Sequence, residues 1–177
     1  MPMIELTTTV GALEDGAKQR LAGELSTIAL ELEAAPYADF GDVDYMQALA
    51  WCFVNEQDVF VGGRRHAKPI YRVVTTFPEG APGLWGPLCA GNRQKLVERV
   101  TAAVLAAEGT SPSITEAHRV WVHLRFLPDG QWGGFGDVIP MQDTASYSLG
   151  RGEPGSKVDR RRQAALESVG APERVEA

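Results

Sequence analysis

One pattern occurs twice in this chain, and that repetition restricts the folds open to it more than any other feature. Residues 3–9, "MIELTTT", set Ile4 and Leu6 on one side and Met3, Glu5 and Thr7 on the other, the period of a strand with two unlike faces. The next segment spaces Leu13, Ala17, Leu21, Leu25, Ile28 and Leu32 by threes and fours, which predicts a helix ending near Pro36. After a loop, residues 49–54 read as a strand, followed by a hairpin closed by Gly62 and Gly63. The second half repeats this order. Residues 69–77 read as a strand. Residues 92–109 read as a helix with Asn92 as its N-cap, Leu96, Val100 and Val104 on one face, and Gly109 as its stop. Residues 118–126 read as a strand whose hairpin passes through Trp132, Gly133 and Gly134.

The correspondence extends to short matches in the same order. "PMIELTTT" faces "PIYRVVTT", "KQRL" (18–21) faces "RQKL" (93–96), "AWCFV" (50–54) faces "VWVHL" (120–124), and "VGG" (61–63) faces "WGG" (132–134). Two βαβ units, about 2–63 and 69–140, predict a two-layer α/β (α+β) domain over 1–146: a four-stranded mixed sheet with two helices on one face. Two helices cover only one face, so the other is expected to meet further copies of the chain. On that face the alternation places Trp121, His123 and Arg125. The repeat suggests that Arg72 lies opposite Glu5, where the two form a cross-strand pair. From about residue 147 the chain turns rich in Gly, Pro and charge. It reads as a partly flexible tail with one short helix near 159–168, in which Arg160, Arg161 and Arg162 form a solvated charged face.

The chain has 177 residues, 44% of them hydrophobic and 23% charged, enough for a real core. A net charge of −6 argues against nucleic acid or an anionic membrane as a partner. No apolar run is long enough to span a membrane, and no secretory leader precedes the first strand, so a cytoplasmic protein with reduced thiols is expected. Cys52 and Cys89 stand outside any metal-ligand spacing; neither a metal site nor thiol chemistry is expected of them.

A proline directly behind the start methionine, an immediate strand and a duplicated βαβ unit together resemble the tautomerase superfamily. The nearer likeness is to its long, fused branch around cis-3-chloroacrylic acid dehalogenase. The resemblance spans about residues 2–140 and is best in "VFVGG" (59–63), "VWVHLRFLP" (120–128) and "GFGDVIP" (134–140). It implies a homotrimer acting on a small molecule with no metal and no organic cofactor. It also implies a catalytic Pro2, freed as a secondary amine when Met1 is removed. An α-amine has an unperturbed pKa of about 7.7–8.0. Apolar surroundings or nearby cations lower it, and it can then carry protons between the carbon and oxygen of an enol.

Of the branch's catalytic positions only Pro2 is kept. Phe77 and Gly80 stand where two carboxylate-binding arginines are usual, Ala29 where a histidine is, Gly134 where a water-activating glutamate is, and His123 where a tyrosine is. Ala12 replaces an arginine of the shorter members. This pattern argues strongly against hydrolytic dehalogenation and leaves two readings: a keto–enol isomerase acting on a small enol, carbonyl or unsaturated acid, or a non-catalytic trimeric module that lost its substrate clamp. For the enzyme, Arg72, His123 and Arg125 are the candidate substrate-binding side chains. Trp132 and Phe135 are the candidate pocket wall, and Arg64 and Arg65, read as part of the loop after the first hairpin, are placed to reach across a subunit boundary.

Overall fold

Two parallel strand pairs, joined antiparallel at the centre, make the sheet. The computed structural model describes residues 2–34, 43–81, 83–86, 89–140 and 153–169. In the first repeat β1 (Met3–Thr9) leads into α1 (Asp15–Ala34), then α2 (Val43–Ala48), then β2 (Trp51–Gln57). A small hairpin of β3 (Phe60–Val61) and β4 (Arg64–Arg65) follows. In the second repeat β5 (Tyr71–Pro78) leads into α3 (Ala90–Ala107), a single turn α4 (Ile114–Ala117), β6 (Val120–Leu127) and a hairpin of β7 (Gly133–Gly134) and β8 (Asp137–Val138). A last helix, α5 (Lys157–Ser168), lies within the expected tail. The sheet order is β2-β1-β5-β6, the four-stranded mixed sheet that the repeat implies.

The main core sits between the sheet and the paired helices α1 and α3. Ile4 and Leu6 of β1 and Tyr71, Val73 and Phe77 of β5 meet Leu21, Leu25 and Ile28 of α1 and Leu96, Val100 and Val104 of α3. The helical spacing read from the sequence is therefore the buried stripe. Gly109 closes α3 with a positive φ of 79°. Asn92 does not cap that helix. The helix begins earlier, at Ala90, and the Asn92 amide donates to the Gly83 carbonyl at 2.9 Å.

Three further expectations are corrected. The second strand starts at Trp51, because residues just before it form α2, a helix too short to leave a readable period. Arg64 and Arg65 form a hairpin strand, and Arg65 binds Asp58 at 2.7 Å. Arg72 lies opposite Thr7, not Glu5. The cause is geometric. β1 and β5 run antiparallel, so residues equivalent by repeat are related by rotation and do not face each other across the ladder. The Pro36 helix stop and the tail segments 147–152 and 170–177 lie outside the described residues.

The face away from α1 and α3 carries three cross-sheet rows: Trp51, Met3, Thr76 and Arg125; Phe53, Glu5, Val74 and His123; Asn55, Thr7, Arg72 and Trp121. Trp51, Phe53 and Trp121 are 57%, 48% and 65% exposed, so these aromatic positions of the face lack a cover among the described residues. The end nearest Pro2 differs. There a second cluster gathers Tyr45, Ala48 and Leu49 from the α2 region, Trp132 and Ile139 from the last hairpin, and Ala165 from α5; Met3 and Leu127 pack against it.

Candidate active site

Pro2 is buried at the entrance to β1. The strand fixes its position: Met3 is held between Trp51 on β2 and Thr76 on β5, and its side chain joins the cluster that contains Trp132. The row beside Pro2 ends in Arg125, which reaches back over β5 to within 4.0 Å of the Glu5 carboxylate. Pro2, Arg125 and Trp132 thus belong to one end of the sheet.

Arg72 does not join them. It is level with Thr7, five residues along β1 from Pro2, or roughly 16 Å at about 3.3 Å per residue. His123 lies in the row between, beside Val74. Within one chain, then, the six sequence candidates spread along the face: Pro2, Arg125, Trp132 and Phe135 towards one end, His123 one row further along, and Arg72 two rows further along.

Phe135 sits at the tip of the β7–β8 hairpin. Gly134 pairs with Asp137, so the loop is Phe135-Gly136, with φ of 56° and 74°. Two consecutive positive φ values define a tight hairpin turn that favours Asn-Gly. Phenylalanine there is strained, and it is the sole non-glycine with positive φ among the described residues. The Arg161 guanidinium lies 5.6 Å above its ring. Phe135→Asn is expected to relieve the strain, raising stability by about 1 kcal/mol and Tm by about 2–4 °C, while removing the ring. A calorimetric scan showing an unchanged or lower Tm would mean that the Arg161 contact outweighs the backbone strain.

The sequence reading missed the latch that holds this hairpin. Arg161 is buried, not solvated, and donates to Asp137 Oδ2 at 3.1 Å; Lys157 binds the same carboxylate. These two cations, Lys157 foremost, hold the Asp137 carboxyl below the usual aspartate range. Ser156 caps α5, its hydroxyl accepting from the Asp159 N–H. The signal was in the spacing: Val158, Arg161 and Ala165 are three and four apart, one helix face, and an arginine stem can cover apolar surface.

Elsewhere the described residues offer little competing chemistry. No three His, Cys, Asp or Glu side chains among them gather as a metal site. Burial pushes the Cys52 thiol up to about 11, so no thiolate forms there near neutral pH. Cys89 Sγ donates to the Trp85 carbonyl at 2.7 Å. No helix among the described residues is long and apolar enough to cross a membrane.

No family sequence model and no curated protein matches the chain. Solved structures do. A crystal structure of N1, a member of the cis-3-chloroacrylic acid dehalogenase family, is 15% identical with a TM-score of 0.64, covering 93% of this chain and 99% of that one. A fused 4-OT protein, Q0, solved as a symmetric trimer, is 19% identical with a TM-score of 0.57 over 80% of this chain and 98% of its own. A macrophage migration inhibitory factor-like protein from Entamoeba histolytica is 14% identical with a TM-score of 0.56, over 77% and 97%. With its two βαβ repeats joined antiparallel in one sheet, this chain has the tautomerase-superfamily fold.

Proposed function

We propose that this protein is a keto–enol isomerase that uses Pro2 as its acid–base group once Met1 is removed. The observation that carries the reading is the burial of Pro2 at the head of a central strand, next to the cluster that holds Trp132. A secondary amine in that setting loses hydration, which disfavours its charged form. Arg125 adds positive field, partly offset by Glu5 at 4.0 Å. The amine accepts the hydroxyl proton of a small enol and returns a proton to its carbon, so the enol becomes the ketone with no net change in protons. Trp132 and Phe135 supply the apolar wall. The reaction calls on the amine alone, without metal or organic cofactor.

The working form is a homotrimer in the cytoplasm, with the exposed aromatic face of the sheet turned to its neighbours. Trimeric fused 4-OT structures of the same fold support this assembly. Dehalogenation is not part of the proposal. Phe77 is packed in the main core, where it cannot hold a carboxylate, and Gly134 has no side chain to activate water.

The test is ketonisation of phenylenolpyruvate by protein whose intact mass shows Met1 removed, with sedimentation run on the same sample. Acceleration over the buffer rate by a trimer is expected. A trimer with no activity on any enol would favour a non-catalytic module, and a monomer would remove the assembly from the proposal.

A further inference from the structure

The far half of the open sheet face holds a recess of about 270 Å³ lined by Thr7, Gln57, Ile70, Arg72, Trp121 and His123, among others. Its floor is the third cross-sheet row. Arg72 stands between Thr7 on β1 and Trp121 on β6, directly opposite both. The Arg72 guanidinium is exposed and gives one hydrogen bond, from Nη2 to Thr7 Oγ1 at 3.3 Å. No carboxylate among the described residues forms an ion pair with it, whereas Glu5 on the same face is taken up by Arg125. Trp121 is anchored through its indole N–H to the His118 carbonyl at 3.2 Å, which leaves the indole 65% exposed beside the cation.

A planar, permanently charged fork with most of its donors unused matches a carboxylate, which can accept two parallel hydrogen bonds from it. The indole face and Ile70 match a flat apolar body attached to that carboxylate. The volume is at the small end of ligand pockets. We infer that this recess is a second binding site, for a small carboxylate carried on an aromatic or flat apolar body, about 16 Å from Pro2 and independent of it. The proposed trimer turns this face to neighbouring subunits, so the native assembly and not an isolated chain is the form that tests the site.

The inference does not need Pro2 to be catalytic, and the test keeps the two apart. Sodium benzoate is the probe and benzamide its neutral counterpart, each titrated by calorimetry into the full-length protein in its native assembly. Benzoate is expected to bind and benzamide not to. Arg72→Gln is expected to weaken benzoate about tenfold or more, Trp121→Ala to weaken it as well, and Pro2→Ala to leave it unchanged. Arg72 is exposed and holds one hydrogen bond, so its loss spares the fold, which a matching melting curve verifies. Undiminished benzoate binding by Arg72→Gln would overturn the site. So would loss of binding in Pro2→Ala, which would place the anion at the other end of the sheet, or the absence of benzoate binding to the wild-type protein.

Discussion

Arg119→Ala is expected to cost about 3–5 kcal/mol, a large share of the roughly 5–15 kcal/mol that stabilises an ordinary domain. The Arg119 side chain has no exposed surface. Its Nη1 and Nη2 donate to the two Glu108 oxygens at 3.0 and 2.7 Å, its Nε to Glu116 Oε2 at 2.9 Å, and Nη1 also to the Pro69 carbonyl at 2.7 Å. One guanidinium thereby ties the end of α3, the α4 turn and the entry to β5 to the start of β6. Its own carbonyl accepts from the Tyr71 N–H at 2.8 Å, which fixes the β5–β6 register at that end. Removing the cation leaves the largely sheltered Glu108 carboxylate without its ion-pair partner and takes one of two cations from Glu116. Glu116 retains Lys68, which together with Arg119 holds its carboxyl below the usual range; Glu108 has no such second cation among the ion pairs of the described residues. Urea denaturation reads the effect as a lower midpoint at unchanged slope. A shift corresponding to less than about 1 kcal/mol would mean that this network behaves as an exposed ion pair.

Pro2→Ala is expected to lower the ketonisation rate about ten- to a hundredfold while the trimer persists. The variant still offers a primary amine at the same place, so a residual rate is part of the expectation. Because Pro2 is buried, losing ring methylenes also costs about 1–2 kcal/mol, an effect separated from catalysis by assaying well below the variant's Tm. An unchanged rate would move the chemistry away from the N-terminus.

The fold was legible because it is written in periods. Alternation of Ile4 and Leu6 with polar neighbours, the three-and-four spacing of Leu21, Leu25 and Ile28, and the repetition of both at a distance of about 70 residues leave few arrangements of strands and helices. Position within the sheet was not written there. Antiparallel joining of the repeats set Arg72 opposite Thr7, a relation that depends on how the halves dock and not on either half alone. For the candidate site, alternation assigns the residues of the last strand to the face away from the helices but says nothing about how far along that face each one lies, so the spacing of Arg72 and His123 from the Pro2 end cannot be read from it. The α5 latch was hidden by charge. Arg161 reads as solvent-facing in a run of three arginines, and only its burial against Asp137 and Phe135 reveals the packing role of its stem. The strain at Phe135 is a backbone property that side-chain chemistry does not announce.

The central claim, that Pro2 acts through its own nitrogen, is tested most directly by comparing two forms of one protein. In the first Met1 has been removed; in the second it is retained, and intact mass verifies each. Retention turns the Pro2 nitrogen into an amide with no basic lone pair. The account predicts that the Met1-free form ketonises phenylenolpyruvate well above the buffer rate and that the Met1-bearing form does not. Equal rates from the two forms would contradict it.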